Sequence, residues 1–104
     1  MTRDPMAKAR PAVQSRSKGR CEKCGLQAAT DIHHRKLRRH GDHAPANLVH
    51  LCRTCHNLVH DKGYKEPESG FLLKSWDNPR VVRVRHALFG WVRLDDAGGW
   101  ETAA

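Results

Sequence analysis

At 104 residues, with apolar types at 38%, aromatics at 6% and charged residues at 29%, the chain has room for one small domain with a thin core. Burial alone is then a weak source of stability, and a staple is expected. The basic, polar stretch from Met1 to Arg20 holds no apolar run resembling an h-region, and no stretch elsewhere is long enough to span a bilayer, so a cytoplasmic protein with no membrane partner is expected.

The net charge of +8 is unevenly spread, at +5 over residues 1–20, +4 over 21–65 and −1 over 66–104. Basic charge gathered in the first two thirds suits a polyanion, because Lys and Arg that neutralise phosphates release condensed counterions. A basic solvated surface accounts for the same count.

In chain order, residues 1–17 read as a basic flexible arm, with Pro5 and Pro11 and no apolar periodicity; a short helix ordered only on DNA is the alternative. Residues 18–65 form the expected core. Cys21 to Cys24 with Gly25 directly after suits a metal knuckle, a tight turn that uses glycine's conformational freedom. Thr30 to Leu37 reads as a strand and Arg39 to Asn47 as a loop with Gly41, Asp42 and Pro45. Leu48, Val49 and Leu51 make a second strand, so the two strands read as a hairpin. A helix from about Cys55 to His60 follows, with Thr54 as N-cap and Gly63 as stop. Residues 66–104 read as a β-rich extension of the same domain, with strands at Phe71 to Trp76, Val81 to His86 and Leu88 to Leu94, and turns at Asp77-Asn78-Pro79 and Asp95 to Gly99.

Two Cys-x-x-Cys pairs, Cys21/Cys24 and Cys52/Cys55, stand 27 residues apart. In a reducing compartment this is a zinc site sooner than two disulfides. Four thiolates leave no open position on the ion, so the zinc is structural.

Of the eight histidines, two pairs have spacing that chemistry uses. His56 and His60, four apart, share one helix face and can share one metal ion or phosphate. His33 and His34 are adjacent on the first strand, where regular pleating sends them to opposite faces, so joint use requires a twist or local irregularity. An ion held by imidazoles with open positions can polarise a phosphoryl oxygen, and a neutral histidine outside its shell can serve as general base.

Taken together, GRCEKCG, DIHHRKLRRHG, PANLVHLC and CHNLVH resemble the HNH endonuclease family in its four-cysteine, zinc-containing form, over about residues 18 to 62. The tail, GFLLKSWDNP followed by GWVRLDD, is similar in style to small phage-encoded HNH proteins. The resemblance implies an α+β fold with a zinc-stapled ββα-metal core and a small antiparallel β extension. It implies His34 as general base, His33 and His56 as catalytic metal ligands, His60 on the metal or the scissile phosphate, and Asn47 tying the hairpin loop and helping to orient the base. It implies Mg²⁺, Mn²⁺, Ni²⁺ or another divalent cation beside the structural zinc, DNA as substrate, and 5′-phosphate and 3′-hydroxyl products. A phage-like setting adds DNA packaging or processing with a terminase, in host cytoplasm, by a monomer.

Lys36, Arg38 and Arg39 follow the histidine pair and are candidate phosphate contacts, with a solvated basic turn as the alternative. Asp31 reads first as a solvent-facing strand residue. Its place two before His33 also allows a supporting partner or a further ligand. His40, His43, His50 and His86 read as surface or strand residues, and Arg80, Arg83, Arg85 and Arg93 as solvent-facing. The alternative function is a zinc-finger-like DNA-binding or packaging accessory module without cleavage, which has no use for a free imidazole at His34.

Overall fold

The computed structural model describes residues 6–37, 42–61 and 69–103. Two short antiparallel strands, β1 (Asp31–His34) and β2 (Leu48–Leu51), pair in the register Asp31↔Leu51 to His34↔Leu48. A one-turn 3₁₀ helix at Pro45–Asn47 leads into β2, and α2 (Arg53–Asp61) follows it and packs on both strands. This is the ββα core that the sequence implies. The helix begins at Arg53, so Thr54 lies inside it rather than capping it, and Gly63 is outside the described residues.

Every residue of β2 is buried. Val49 and Leu51 join Cys21, Cys52, Cys55 and Val59 in one apolar cluster, which also takes Phe71, Val84, Val92 and Leu94 from the C-terminal third. That third is a three-stranded antiparallel meander of β3 (Val84–His86), β4 (Gly90–Leu94) and β5 (Trp100–Thr102). The two sheets are thus closed by a common core.

Two expectations are corrected here, and one strand is added to those expected. Arg10–Ser17 is not a flexible arm but a helix, α1. Pro11 sits in its first turn, where a missing N–H costs nothing, and Met6, Ala9 and Val13 form an apolar face on Leu48 that the scattered charges hid. Phe71 to Trp76 is no strand: Leu73 makes a single parallel bridge with Lys36, and the chain turns at once. Trp100–Thr102, exposed throughout and without apolar alternation, is a strand because it pairs with β4.

Two buried arginines lock these parts together. Arg16 of α1 reaches Glu22 with two bonds, 2.8 and 2.9 Å, and also donates to the Pro45 and Leu48 carbonyls. Glu22 accepts from His86 Nε2 at 2.7 Å and from the His50 amide at 2.8 Å. Burial works to raise the Glu22 carboxyl, but His86 and Arg16 hold it at about 2, so it stays ionised. His86 and His50 are therefore buried structural residues rather than surface ones, with His50 Nδ1 2.8 Å from Ser17 Oγ.

Arg35, directly after the histidine pair, is fully buried and donates to the carbonyls of Ala46, Gly70, Pro79 and Val82 at 2.7–2.9 Å. It ties the end of β1 to the C-terminal third. Gly70 makes this approach possible: at φ +85° its missing Cβ would stand 2.2 Å from the Arg83 carbonyl.

Candidate functional site

The four cysteines come together at the junction of the knuckle and the start of α2, with one sulfur from each within 4.8 Å of the others. None is in a disulfide. Backbone amides point at the sulfurs: Cys24 N to Cys21 Sγ at 3.5 Å, Leu26 N to Cys24 Sγ at 3.4 Å and Cys55 N to Cys52 Sγ at 3.4 Å. Such donors favour thiolates. Burial and then the neighbouring sulfurs of Cys52 and Cys21 push the Cys55 thiol strongly up, and burial raises Cys21. At Cys24 burial works upward too, but the Leu26 and Gln27 amides bring the thiol down to about 7. Four crowded, mostly buried sulfurs are stable as thiolates only around a cation, and an all-sulfur tetrahedral set is what zinc takes. The donor set fits a structural zinc ion.

The second cluster lies between β1 and α2. His33, His56 and His60 each present one ring nitrogen within 4.8 Å of the others. The helix period places His56 and His60 on one face, with their Nε2 atoms 3.2 Å apart, and the β1–β2 pairing brings His33 against both, at ring-centroid distances of 5.2 and 5.3 Å. His33 is buried, His56 partly buried and His60 exposed, so the cluster opens to solvent on one side.

Each inner imidazole has its far nitrogen engaged. His33 Nε2 lies 2.8 Å from the Phe71 carbonyl, which can only accept, so the proton sits on Nε2 and Nδ1 keeps its lone pair. Burial lowers His33 to about 4, so it is neutral near pH 7. His56 Nδ1 is 2.8 Å from Asp31 Oδ2, which leaves Nε2 facing the cluster. Asp31 also receives Arg53 at 2.8 and 3.2 Å. Burial works to raise its carboxyl, and the bonds from His56 and Arg53 hold it at about 2. Asp31 is therefore a partner of a cluster imidazole, not the solvent-facing residue expected first. Three imidazoles with one open side, oriented from behind by a carboxylate and a carbonyl, fit a divalent ion with positions left for other ligands.

His34 takes the other face of β1. Its ring meets His43 edge-on, with His34 Nε2 2.9 Å from His43 Nδ1. His43 was placed among the surface histidines by sequence; nothing in its spacing signals a partner nine residues back across a loop. His34 still shares a cleft of about 260 Å³ with Ile32, His33, Leu37, His56 and His60. Adjacent strand residues of opposite facing thus border one depression, because β1 ends at His34 and the chain bends there.

Asn47 is fully buried at the mouth of the loop. Its Oδ1 accepts from the Lys36 amide at 2.9 Å, and its Nδ2 donates to the Lys36 and Asp42 carbonyls at 3.3 and 2.8 Å. It thereby staples together the two chain ends that carry His34 and His43. Lys36 lies at this staple; Arg38, Arg39 and His40 fall outside the described residues.

Residues 21–62 match the family model described as HNH endonuclease. No curated protein and no solved structure matches the chain. The matched stretch begins at the first cysteine of one cluster and contains every member of both. No helix among the described residues is long and apolar enough to cross a membrane.

Proposed function

We propose, taking the HNH endonuclease segment over residues 21–62 as premise, that the protein hydrolyses DNA phosphodiester bonds with His34 as general base and a divalent ion held by His33, His56 and His60. The observation that carries this reading is the pairing of an open three-imidazole cluster with a fourth imidazole, His34, on the same cleft but outside the cluster. A scaffold has no use for such a division.

A divalent ion held there supplies polarisation of a phosphoryl oxygen and neutralisation of charge at the departing 3′ oxygen. The rest is the work of the chain. His34 takes a proton from the attacking water, and His43, 2.9 Å away, fixes the plane of its ring. Attack at phosphorus forms the new P–O bond and breaks the bond to the 3′ oxygen, which takes a proton from solvent, leaving a 5′-phosphate and a 3′-hydroxyl. His60, the exposed member, is placed to touch the metal or the scissile phosphate. Asn47 holds the loop that positions the base, and Lys36, with Arg38 and Arg39 in sequence after it, contacts flanking phosphates. Mg²⁺, Mn²⁺ and Ni²⁺ are the candidate ions. Activity as a nickase acting with a phage terminase in DNA packaging is the setting that the tail's style suggests.

The test is nicking of supercoiled plasmid by zinc-loaded protein with Mg²⁺, Mn²⁺ or Ni²⁺ against chelator, with His34→Ala alongside after both are shown to retain zinc. Metal-dependent nicking that disappears in the variant is expected. Zinc-loaded protein that binds DNA yet fails to nick it with any of these metals refutes the reading in favour of the accessory module.

A further inference from the structure

Beside the histidine cleft lies a larger groove, of about 490 Å³, lined by Lys36, Asp42, Trp76, Asp77, Pro79 and Arg80. The two depressions are continuous along the chain, since Lys36 precedes Leu37 of the cleft and Asp42 precedes His43, the partner of His34. The size falls within the range, roughly 300–1,000 Å³, of small-ligand sites.

Trp76 is 77% exposed, an unusual state for so large an apolar ring. The loop carrying it is tightly built. Asp77 Oδ2 accepts from the Lys74 amide at 2.8 Å, Asn78 Oδ1 from the Arg80 amide at 3.0 Å, and the Val81 and Val82 amides both reach the Asn78 carbonyl at 3.0 Å. Arg35, next to the proposed base, pins the same loop by the Pro79 and Val82 carbonyls. An indole this exposed on a fixed backbone buries little of its own chain, so its fold role is slight and its cost is one that a ligand can recover.

The charges around it select that ligand. Lys74 Nζ lies 5.4 Å from the Trp76 ring centroid, and Lys36 lines the groove. The two carboxylates of the groove are already engaged, Asp42 with Arg80 at 2.9 Å and Asp77 with the Lys74 amide. An exposed ring with one ammonium group over one face and a second in the same groove is a combination that takes an unpaired base on the other face, with its phosphates on the lysines; in continuous duplex the base faces are stacked on one another and unavailable.

We infer that Trp76 is a stacking platform for an unpaired base of single-stranded DNA, with Lys36 and Lys74 on the flanking phosphates. The substrate class is then DNA with a single-stranded segment next to the scissile bond, such as a flap, gap or displaced strand. The inference deepens the proposed nuclease reading and rests on it for the word substrate, but the stacking itself is read by binding alone.

The experiment uses the full, zinc-loaded chain without added catalytic metal, with a short oligothymidylate and a blunt duplex of equal length as probes. Trp76→Ala is expected to weaken oligothymidylate binding roughly tenfold or more, with a much smaller change for the duplex. Trp76→Tyr is expected to restore most of the loss, and wild-type tryptophan emission should be quenched by the oligonucleotide to a degree that Trp76→Ala lacks. Unchanged oligothymidylate binding in Trp76→Ala overturns the inference. Equal weakening on both probes does so as well, since it points to general electrostatics or misfolding. Stacking in a protein that cleaves no DNA with any metal leaves this inference standing and refutes the nuclease reading; cleavage with no Trp76 effect does the reverse.

Discussion

Among the described residues the protein carries two clusters able to hold a metal, built from neighbouring residues yet opposite in character. Cys55 and His56 are adjacent on α2, but one sulfur turns into the common core and the next imidazole turns to an open cleft. The sulfur cluster has four charged donors, mostly buried, and amides directed at them. The imidazole cluster has three ring-nitrogen donors, a graded exposure from His33 to His60, and hydrogen bonds directed at the far side of the rings of His33 and His56. Closed all-sulfur coordination suits a staple, and open coordination by oriented rings suits chemistry. Because the same helix carries members of both, a zinc ion held by the four cysteines would also fix the backbone that carries His56 and His60.

The largest effect expected from this contrast is on the sulfur side. Cys52→Ser should remove a metal contribution on the order of 10 kcal/mol, more than a small domain can lose, and the variant should show no cooperative thermal transition by circular dichroism. A sharp transition with zinc absent would erase the distinction between staple and site.

The buried pair of Arg16 and Glu22 tests whether the staple works alone. Both side chains are fully buried, so Arg16→Met leaves Glu22 without its main cation and should cost about 3–5 kcal/mol in urea unfolding of the zinc-loaded protein. A loss near zero would mean that zinc, not the α1 contact, holds Glu22 and the knuckle in place.

On the imidazole side the separation should appear in full. His34→Ala and His56→Ala are each expected to lower metal-dependent cleavage roughly 100-fold or more, with zinc content and melting temperature unchanged. Loss of zinc in His56→Ala would show that the two clusters are one cooperative unit. The mildest case is Asp31→Asn, which keeps the shape but weakens the orientation of His56. It should raise the metal concentration for half-maximal cleavage by about 10-fold, without altering His33.

Much of this arrangement was legible from spacing. Cysteine pairs three apart, histidines four apart on an amphipathic helix and a mostly apolar Leu-Val-His-Leu strand are local patterns, and local patterns fix local geometry. The misreadings have a common cause in long-range partners. Asp31 was placed toward solvent because only folding brings α2, 25 residues on, over its carboxylate. His43 meets His34 across a loop closed by Asn47. His33 takes its tautomer from the carbonyl of Phe71, 38 residues away, and a main-chain carbonyl leaves no trace in a sequence.

The sequence by itself determined which residues could serve as ligands and on what element each rides, because residue type and helical period are properties of the chain. Only the tertiary structure decided which of those ligands face water, which nitrogen of each ring is presented, and that Arg10–Ser17 and the C-terminal meander close on the same core. Those outcomes depend on desolvation and on partners distant in sequence, such as Arg16 on Glu22 and Arg35 on four carbonyls, whose energies exist only once the chain has closed around them.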